Sequence, residues 1–171
     1  KNILVNFPLQ KILRLYYLLF TLYLAIGFYL VTHSPFVKNS GLGTRTIMSL
    51  FLLKIIAGLF IGWMSQKFYD HNDYWVLNDE GFKEYNILIT DPREFFANIF
   101  RSPYANHYDG FFNSVGSYWN DLRNNIIIKV IACCDILTRG NYYLNSLFFN
   151  VAAFFGHIAL FRVFADIYKN K

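Results

Sequence analysis

Residues 46–64 read TIMSLFLLKIIAGLFIGWM, an apolar block whose one formal charge is Lys54. A helix of about 20 apolar residues crosses the roughly 30 Å hydrocarbon core of a bilayer. Two further blocks have the same character: Leu15–Val31 carries no charge, and Tyr142–Phe161 carries none when His157 is neutral. The sequence therefore predicts three transmembrane helices.

The composition favours the same class of protein. Of the 171 residues, 55% are hydrophobic, 20% aromatic and 16% charged, whereas about a quarter of the residues of a soluble domain are charged. A soluble domain of this length seldom hides three wholly apolar helices, so a buried soluble core is the weaker alternative. The net charge of +5 comes mostly from residues beside the apolar blocks, as is usual for membrane flanks. We therefore expect no nucleic-acid partner.

The first apolar block has one further interpretation, a secretory signal, but no small-residue cleavage site follows it. The stretch HSPF at 33–36 predicts a helix that ends before its proline. We predict an all-α integral membrane protein with about three transmembrane helices and a long external loop containing surface-lying helices. Its parts are a lead-in with two transmembrane helices (1–64), a polar external loop with amphipathic helices (65–140), and a third transmembrane helix with a basic tail (141–171).

The basic residues predict the orientation of the loop. In a chain with three spans, the connection 32–45 and the C-terminal tail lie on the same side, and both carry basic side chains. Because Lys and Arg favour the cytoplasmic side, we expect the 65–140 loop to be external, in a bacterial inner membrane. Three basic residues before the first span, Lys1, Lys11 and Arg14, oppose this arrangement and leave the inverse orientation open.

One helix is expected to begin inside the loop at the sequence DPRE, residues 91–94. Asp can cap a helix, Pro suits the first turn, and Glu favours the positive end of the helix dipole. An amphipathic helix from Asp91 to Phe100, lying on the bilayer surface, fits this pattern. Four apolar side chains would then share one side: Phe95, Phe96, Ile99 and Phe100.

A second apolar stretch of the loop, residues 124–137, contains IIIKVIACCDIL. It is too short to span a bilayer, so we predict a surface-lying or re-entrant helix, which the sequence TRGN at 138–141 separates from the third span. Cys133 and Cys134 are adjacent, which predicts neither a disulfide framework nor a metal-ligand set.

Polar side chains within the apolar blocks allow two interpretations. Lys54 lies near the middle of the second span, which is costly unless it faces a cavity or a partner. In the third span, Ala152 and Gly156 form a small-residue pair that allows helices to approach closely. Helix packing within a larger bundle is the favoured interpretation, and a proton path is the alternative. The polar stripe of the third span consists of Asn145, Asn150, His157 and Arg162.

The residues best suited to chemistry are DHNDY at 70–74, directly after the second span. A carboxylate there would lie where an amphiphilic substrate presents its head group. One aspartate could act as a general base towards an acceptor hydroxyl, and a neighbour could orient it or bind a cation. An ordinary solvated turn is the alternative. His71 and His107 have no zinc-binding spacing, so we expect no zinc there and assign no residue as a metal ligand.

The order of these features resembles the first external loop of the GT-C membrane glycosyltransferases, which use polyprenyl-phosphate-linked sugars. The resemblance covers about residues 46–166 and begins with the acidic motif DHNDY at 70–74. YWNDLR at 118–123 then leads into the apolar helix 126–137. The following span opens with YYLN at 142–145 and closes with Phe161 and Arg162.

The resemblance implies transfer of a sugar from a polyprenyl-phosphate donor to an acceptor on the external face, by this chain or by a larger protein of which it is the N-terminal part. It points to Asp70 as the catalytic residue, with Asp73 as the nearer alternative. Binding roles fall on Tyr74, His71 and Arg123, and the cofactor is left unknown.

Members of that family typically have eight or more spans. The expected partners are therefore the lipid bilayer, a polyprenyl-phosphate sugar, and other membrane chains or missing spans that complete the bundle. A non-catalytic small membrane subunit, which packs against other membrane proteins in a larger complex, is the alternative function.

Overall fold

The computed structural model describes residues 6–69, 73–100 and 117–169, and within these ranges all regular secondary structure is helical. The helices of the described ranges are α1 (Asn6–His33), α2 (Pro35–Lys38), α3 (Thr44–Phe68), α4 (Asp73–Thr90), α5 (Pro92–Ala97), α6 (Tyr118–Thr138) and α7 (Tyr142–Lys169).

Three segments are long and apolar enough to span a membrane: Leu13–His33, Thr44–Phe68 and Tyr142–Tyr168. Between 11% and 22% of each is buried within the chain, which leaves most of their apolar surface for lipid. They contain the three predicted apolar blocks. The chain is therefore an all-α membrane protein with three candidate spanning helices, as the sequence predicts.

The breaks between helices also lie where the sequence predicts them. α1 ends at His33 and α2 begins with Pro35, because a proline disfavours helical geometry in the residue before it. α6 ends before Arg139 and Gly140, whose φ angles of 53° and 78° lie in the left-handed region. That region is usual at the end of a helix, and it separates α6 from the third span.

The described residues divide into two compact units. The first contains the residues up to Trp63 and from Ser146 onward, and therefore most of each candidate span. The second is Met64–Asn145, which contains α4, α5 and α6 together with the adjoining ends of α3 and α7.

Phe51 of α3 lies at the centre of the three-helix unit and is fully buried. Its ring packs edge-on against Phe28 of α1 and Phe154 of α7, with centroid distances of 5.0 and 5.2 Å. Each such pair contributes about 0.5–1.5 kcal/mol beyond its buried area. Gly27 brings the helices together at this level, since a Cβ there would lie 3.1 Å from Cγ2 of Val151.

Close approach between the spans depends on glycines other than the predicted one. A Cβ at Gly58 of α3 would collide with the side-chain amide of Asn150 on α7, whereas a Cβ at Gly156 would have nothing within 4 Å. Ala152 is exposed as well. Ala152 and Gly156 therefore bring no helices together within the described part of the chain, and their use in a larger bundle stays a prediction. At about 100° of turn per residue, both lie away from the buried side chain of Phe154.

The connection between the first two spans lies at the same end of the three-helix unit as the end of α7. Arg162 donates a hydrogen bond to the backbone oxygen of Phe36 at 3.3 Å. Its guanidinium also lies 4.8 Å from the centroid of the Phe36 ring, a favourable cation–π geometry. This agrees with a chain that crosses three times, and the side of the bilayer on which this end lies stays a prediction.

In the second unit, α4 and α6 form an antiparallel pair. Asn78 near the start of α4 contacts Gly140, just beyond the end of α6, whereas Glu84 further along α4 contacts Lys129 earlier in α6. The two helices approach closely at Gly81, because a Cβ there would collide with the side chain of Ile131.

α5 begins as predicted but is shorter. The Asp91 side chain accepts a hydrogen bond from the backbone N–H of Glu94 at 3.2 Å, and Pro92–Ala97 forms the whole helix. Phe95 is buried whereas Phe96 is exposed. The longer amphipathic helix with one apolar side is therefore a wrong prediction, since packing against the rest of the unit buries Phe95 and leaves Phe96 and Phe100 exposed.

Candidate functional site

The predicted acidic motif leads directly into α4. Asp70 and His71 lie outside the described residues, so their roles stay predictions. Asp73 is the first residue of α4 and is exposed, and the side chain of Tyr74 is 59% exposed. An aspartate in the first turn also stabilises the helix through its dipole, by about 0.3–1 kcal/mol. A structural role for Asp73 is thus open alongside a chemical one.

An aromatic stack holds this end of α4 in place. The ring of Trp75 stacks on Tyr142 with a centroid distance of 4.1 Å and an interplanar angle of 15°. Tyr143 meets the same indole edge-on at 5.9 Å. Because Tyr142 begins the third candidate span, this stack places the start of α4 beside the start of that span.

A buried polar network fixes the same junction. Asn145 in α7 donates through its amide nitrogen to Oδ1 of Asp135 at 2.7 Å and to Oδ1 of Asn78 at 2.9 Å. Asn78 in turn donates to the backbone oxygen of Gly140 at 3.0 Å. Thr138 is fully buried within this group, 2.8 Å from Asp135 Oδ1. The network therefore joins the start of α4, the end of α6 and the start of α7.

Asp135 is the most constrained member of this network. Its side chain has no solvent exposure, and Oδ1 also accepts from the backbone N–H of Gly140 at 3.1 Å. Oδ2 is buried and has no hydrogen-bond partner among the described residues. A partly satisfied buried carboxylate is costly. Because a carboxylate so enclosed does not meet substrate, we assign Asp135 a positioning role.

The sequence places Asp135 in the apolar stretch 124–137 and Asn145 in the polar stripe of the third span, but it does not predict the network that joins them or a role for Asn78. The available signal was the presence of an aspartate in an otherwise apolar helix, since a buried carboxylate requires donors. Which donors those are depends on the pairing of α4 with α6.

The middle of the helix pair is held by a nearly buried ion pair. Lys129 Nζ lies 2.5 Å from Oε2 of Glu84, and the two side chains are 8% and 12% exposed. The ammonium group also contacts Oδ1 of Asn98 and lies 4.1 Å from the centroid of the Phe95 ring. Breaking a buried pair of this kind costs about 3–5 kcal/mol. This cluster stabilises the unit and contains no predicted site residue.

Arg123 lies on α6, far from the start of α4. It is exposed and donates to Oδ1 of Asn120 at 2.6 Å. The end of α6 beside the start of α4 is Thr138, about 22 Å further along the axis at 1.5 Å per residue. The structure therefore does not bring Arg123 together with Asp73, and a binding role for Arg123 stays a prediction.

The polar side chains of the third span make separate local contacts. His157 bonds through Nδ1 to the backbone oxygen of Ala153 at 2.6 Å. Asn150 donates to the backbone oxygen of Ser146 at 2.8 Å, and Arg162 contacts α2. The contacts of His157 and Asn150 lie within α7, so both interpretations of the stripe, packing in a larger bundle and a proton path, stay predictions.

The two cysteines have different surroundings, since Cys133 is exposed and Cys134 is partly buried. Burial raises the pKa of the Cys134 thiol, and the negative charges of Asp135 and Cys133 raise it further. A thiol with a raised pKa is a poor nucleophile near neutral pH. Among the residues that the structure describes, no three His, Cys, Asp or Glu side chains lie close enough together to hold a metal ion.

Fold and composition thus define the class: an all-α membrane protein with three candidate spanning helices and a helical unit between the second and third. No family model matches the chain, and neither a curated protein nor a solved structure does. The GT-C resemblance therefore stays a prediction, and function has to be argued from the residues.

Proposed function

We propose that the chain is a membrane glycosyltransferase, or the N-terminal part of one, which transfers a sugar from a polyprenyl-phosphate donor to an acceptor on the external face of a bacterial inner membrane. The observation that carries the proposal is the position of Asp73. It is an exposed carboxylate at the start of α4, which the Trp75–Tyr142 stack and the Asn78–Asn145 hydrogen bond hold beside the first turn of a candidate span. A lipid-linked donor would present its phosphate and sugar at this level.

The proposed reaction needs one general base. The acceptor hydroxyl oxygen forms a bond to the anomeric carbon, and the bond from that carbon to the phosphate oxygen breaks. The electron pair leaves with the polyprenyl phosphate, and the acceptor proton passes to an aspartate carboxylate. Asp70 or Asp73 would hold that proton, and Tyr74 and His71 would contact the sugar.

The test is sugar transfer in membranes that contain the full reading frame. The probes are radiolabelled polyprenyl-phosphate glucose and polyprenyl-phosphate mannose, and the readouts are labelled product and released polyprenyl phosphate. We expect transfer by the wild type and its loss in Asp70→Asn, in Asp73→Asn or in both. Wild-type membranes inactive with both donors, or full activity in both variants, would contradict the proposal.

The matched control is Asp79→Asn, which removes an exposed carboxylate from the same helix six positions further on. We expect it to keep full activity. Asp73→Asn and Asp79→Asn should reach the membrane in wild-type amounts, because both side chains are exposed. The amount of each of the three variants in the membrane is measured together with its activity. Equal losses in Asp79→Asn would show that the loss reflects folding and not chemistry.

A non-catalytic membrane subunit is the second candidate, and Lys54 favours it. This lysine is half-buried in the second candidate span and makes no ion pair with any described residue. A lysine near mid-bilayer costs about 2.5–3.5 kcal/mol unless a partner or cavity accommodates it. A further membrane helix with a carboxylate would do so.

The subunit hypothesis predicts a complex whose assembly depends on Lys54 and not on Asp70 or Asp73. In native gels of mildly solubilised membranes, Lys54→Leu should shift the chain to a smaller species, while Asp70→Asn and Asp73→Asn leave its size unchanged. A chain that migrates alone in the wild type would exclude this candidate.

A further inference from the structure

The outward side of α6 carries a continuous apolar stripe. Its apolar members are all exposed, with side chains between 46% and 56% accessible where a value is given. At about 100° of turn per residue, they fall within an arc of roughly 60° and extend along about 27 Å of helix. We call them the outer stripe of α6: Trp119, Ile126, Val130, Cys133 and Leu137, with Arg123 among them.

The opposite side of α6 is already occupied. Ile128, Ala132 and Asp135 are buried, and Ile131 packs against Gly81 of α4. The outer stripe is therefore not a part of the core of this unit. An exposed apolar surface of this length marks an interaction site.

The end of the stripe is fixed at the level where the third candidate span begins. Leu137 comes five residues before Tyr142, so at most about 18 Å of chain separates them. The last turn of α6 is also tied to the first turn of α7, because Asn145 donates to Asp135 and contacts Thr138 Oγ1 at 2.8 Å. The lipid or protein that surrounds the start of that span can therefore also contact the stripe.

The side chains beside the stripe favour lipid over a second helix. A seam that pairs two helices is usually flanked by charged residues that choose the partner. Here the flanking positions Leu122, Ile127 and Ile136 are apolar, which widens the stripe into a broad face. The charged residue on that flank, Lys129, is nearly buried and paired with Glu84 within the unit, so it is not available to a partner helix. Trp119 and Arg123 at its start are residue types that suit the head-group level of a bilayer.

We propose that α6 lies along the bilayer surface with its outer stripe inserted at the boundary between head groups and acyl chains. The occupant of this face is lipid, not a protein. An interfacial helix of this kind buries its apolar side about 5–10 Å deep. This proposal does not depend on glycosyl transfer, and the experiments that test it are independent of the sugar-transfer assay.

The native cysteine of the stripe provides the test. The full chain carrying Cys134→Ser is labelled at Cys133 with a bimane fluorophore and placed in nanodiscs of phosphatidylcholine and phosphatidylglycerol, with or without bromine on the acyl chains. Two more sites, Ile126→Cys and Leu137→Cys, are labelled in a background without the native cysteines. The aqueous reference is Lys83→Cys, whose native side chain is 67% exposed on α4.

We expect bromolipid to reduce the emission at all three stripe positions and to leave the Lys83 position unchanged. Quenching at Leu137 alone would mean that α6 leaves the membrane, and would overturn the proposal. Emission that is shifted to the blue but not quenched would show that protein covers the stripe, as a second copy or another chain would, and would also overturn it.

A matched pair of variants tests the stripe itself. Val130→Glu places a charge in the stripe one turn from Cys133, whereas Val130→Leu keeps it apolar. The glutamate should abolish bromolipid quenching at Cys133 while circular dichroism shows an unchanged helix content, and the leucine should preserve the quenching. Quenching that survives Val130→Glu would contradict insertion of this face.

Discussion

The side-chain amide of Asn145 donates to Asp135 across 2.7 Å, and this contact joins the beginning of the third candidate span to the end of α6. Both side chains are buried, at 3% and 0% exposure. The same amide reaches Asn78 on α4, so three helices meet at one polar cluster. The exposed Asp73 begins α4 little more than one turn earlier, and its position therefore depends on this buried contact.

Replacing Asn145 with leucine should destabilise the protein. The leucine has a similar volume but donates nothing, so Asp135 and Asn78 each lose a donor inside the protein. Leaving such groups unsatisfied costs about 1–3 kcal/mol. The measurement is the thermal unfolding midpoint in detergent, with circular dichroism as the readout of unfolding. Asn86→Leu is the control, because Asn86 is exposed and bonds only within α4; equal midpoints for the two variants would contradict the prediction.

The Lys129–Glu84 pair should be important for stability as well. Lys129→Met leaves Glu84 nearly buried without its cation, at a cost of about 3 kcal/mol. The double variant Lys129→Met/Glu84→Leu should recover most of this loss, because it removes both charges. Lys83→Met provides the comparison, since the Lys83–Glu80 pair has a 67% exposed lysine and a surface pair contributes at most about 1 kcal/mol. Chemical denaturation of the four proteins would measure these differences, and no recovery in the double variant would refute the interpretation.

Gly81→Ala should lower stability although alanine is the better helix former. In an open helix the exchange gains about 1 kcal/mol, but here the new methyl group collides with Ile131. Overpacking of this kind costs about 1–3 kcal/mol. Gly156→Ala is the matched control, because nothing lies within 4 Å of a Cβ at that glycine, and it should be neutral or stabilising.

A double-mutant cycle identifies the clash as the cause. Ile131→Ala removes the atoms that the Gly81→Ala methyl group would meet, so the combined loss in unfolding free energy should be smaller than the sum of the single losses. Strict additivity would show that some other contact limits the approach of α4 to α6.

The two adjacent cysteines should differ in reactivity and in pH dependence. A maleimide reacts with the thiolate, and burial raises the pKa of the Cys134 thiol. A raised pKa lowers the thiolate fraction at any given pH, so the alkylation rate of Cys134 should keep rising beyond the pH at which an ordinary thiol is ionised. With a membrane-permeant maleimide, which also reaches a thiol at the bilayer surface, Cys133 should react first at about pH 7, because its side chain is not covered within the protein. Peptide mass spectrometry measures both rates. Equal rates for the two cysteines in the folded protein would contradict the prediction, and the protein in urea is the control in which the burial of Cys134 is lost.

Features that depend on neighbours in sequence were predicted correctly. The proline at 35 ends the first helix, and Asp91 caps α5 through the N–H of Glu94. The break at Gly140 follows from its backbone geometry. In each case the interacting residues lie within a few positions of each other, so the local sequence contains both partners.

Features that depend on the pairing of helices were missed or predicted wrongly. Ala152 and Gly156 carry the spacing of a packing motif, yet within the described residues Gly27 and Gly58 are the glycines at close approaches between the spans, and contacts of Ala152 and Gly156 with further helices stay a prediction. Residue spacing defines a face of a helix but not the helix that will cover it. For the same reason the sequence predicts four apolar residues on one side of α5, whereas the structure buries Phe95 and leaves Phe96 and Phe100 exposed.

The sequence by itself determined the class of this protein. Long apolar blocks leave a helix as the one conformation that satisfies the backbone within lipid, and their lengths set the three spans. Only the tertiary structure decided that Asn78, Asp135 and Asn145 form one buried cluster, and that the start of α4 lies beside the first turn of α7. The reason is that a hydrogen bond between distant residues requires a particular register of two helices. That register follows from packing at Gly81 and Ile131, and no local pattern encodes it.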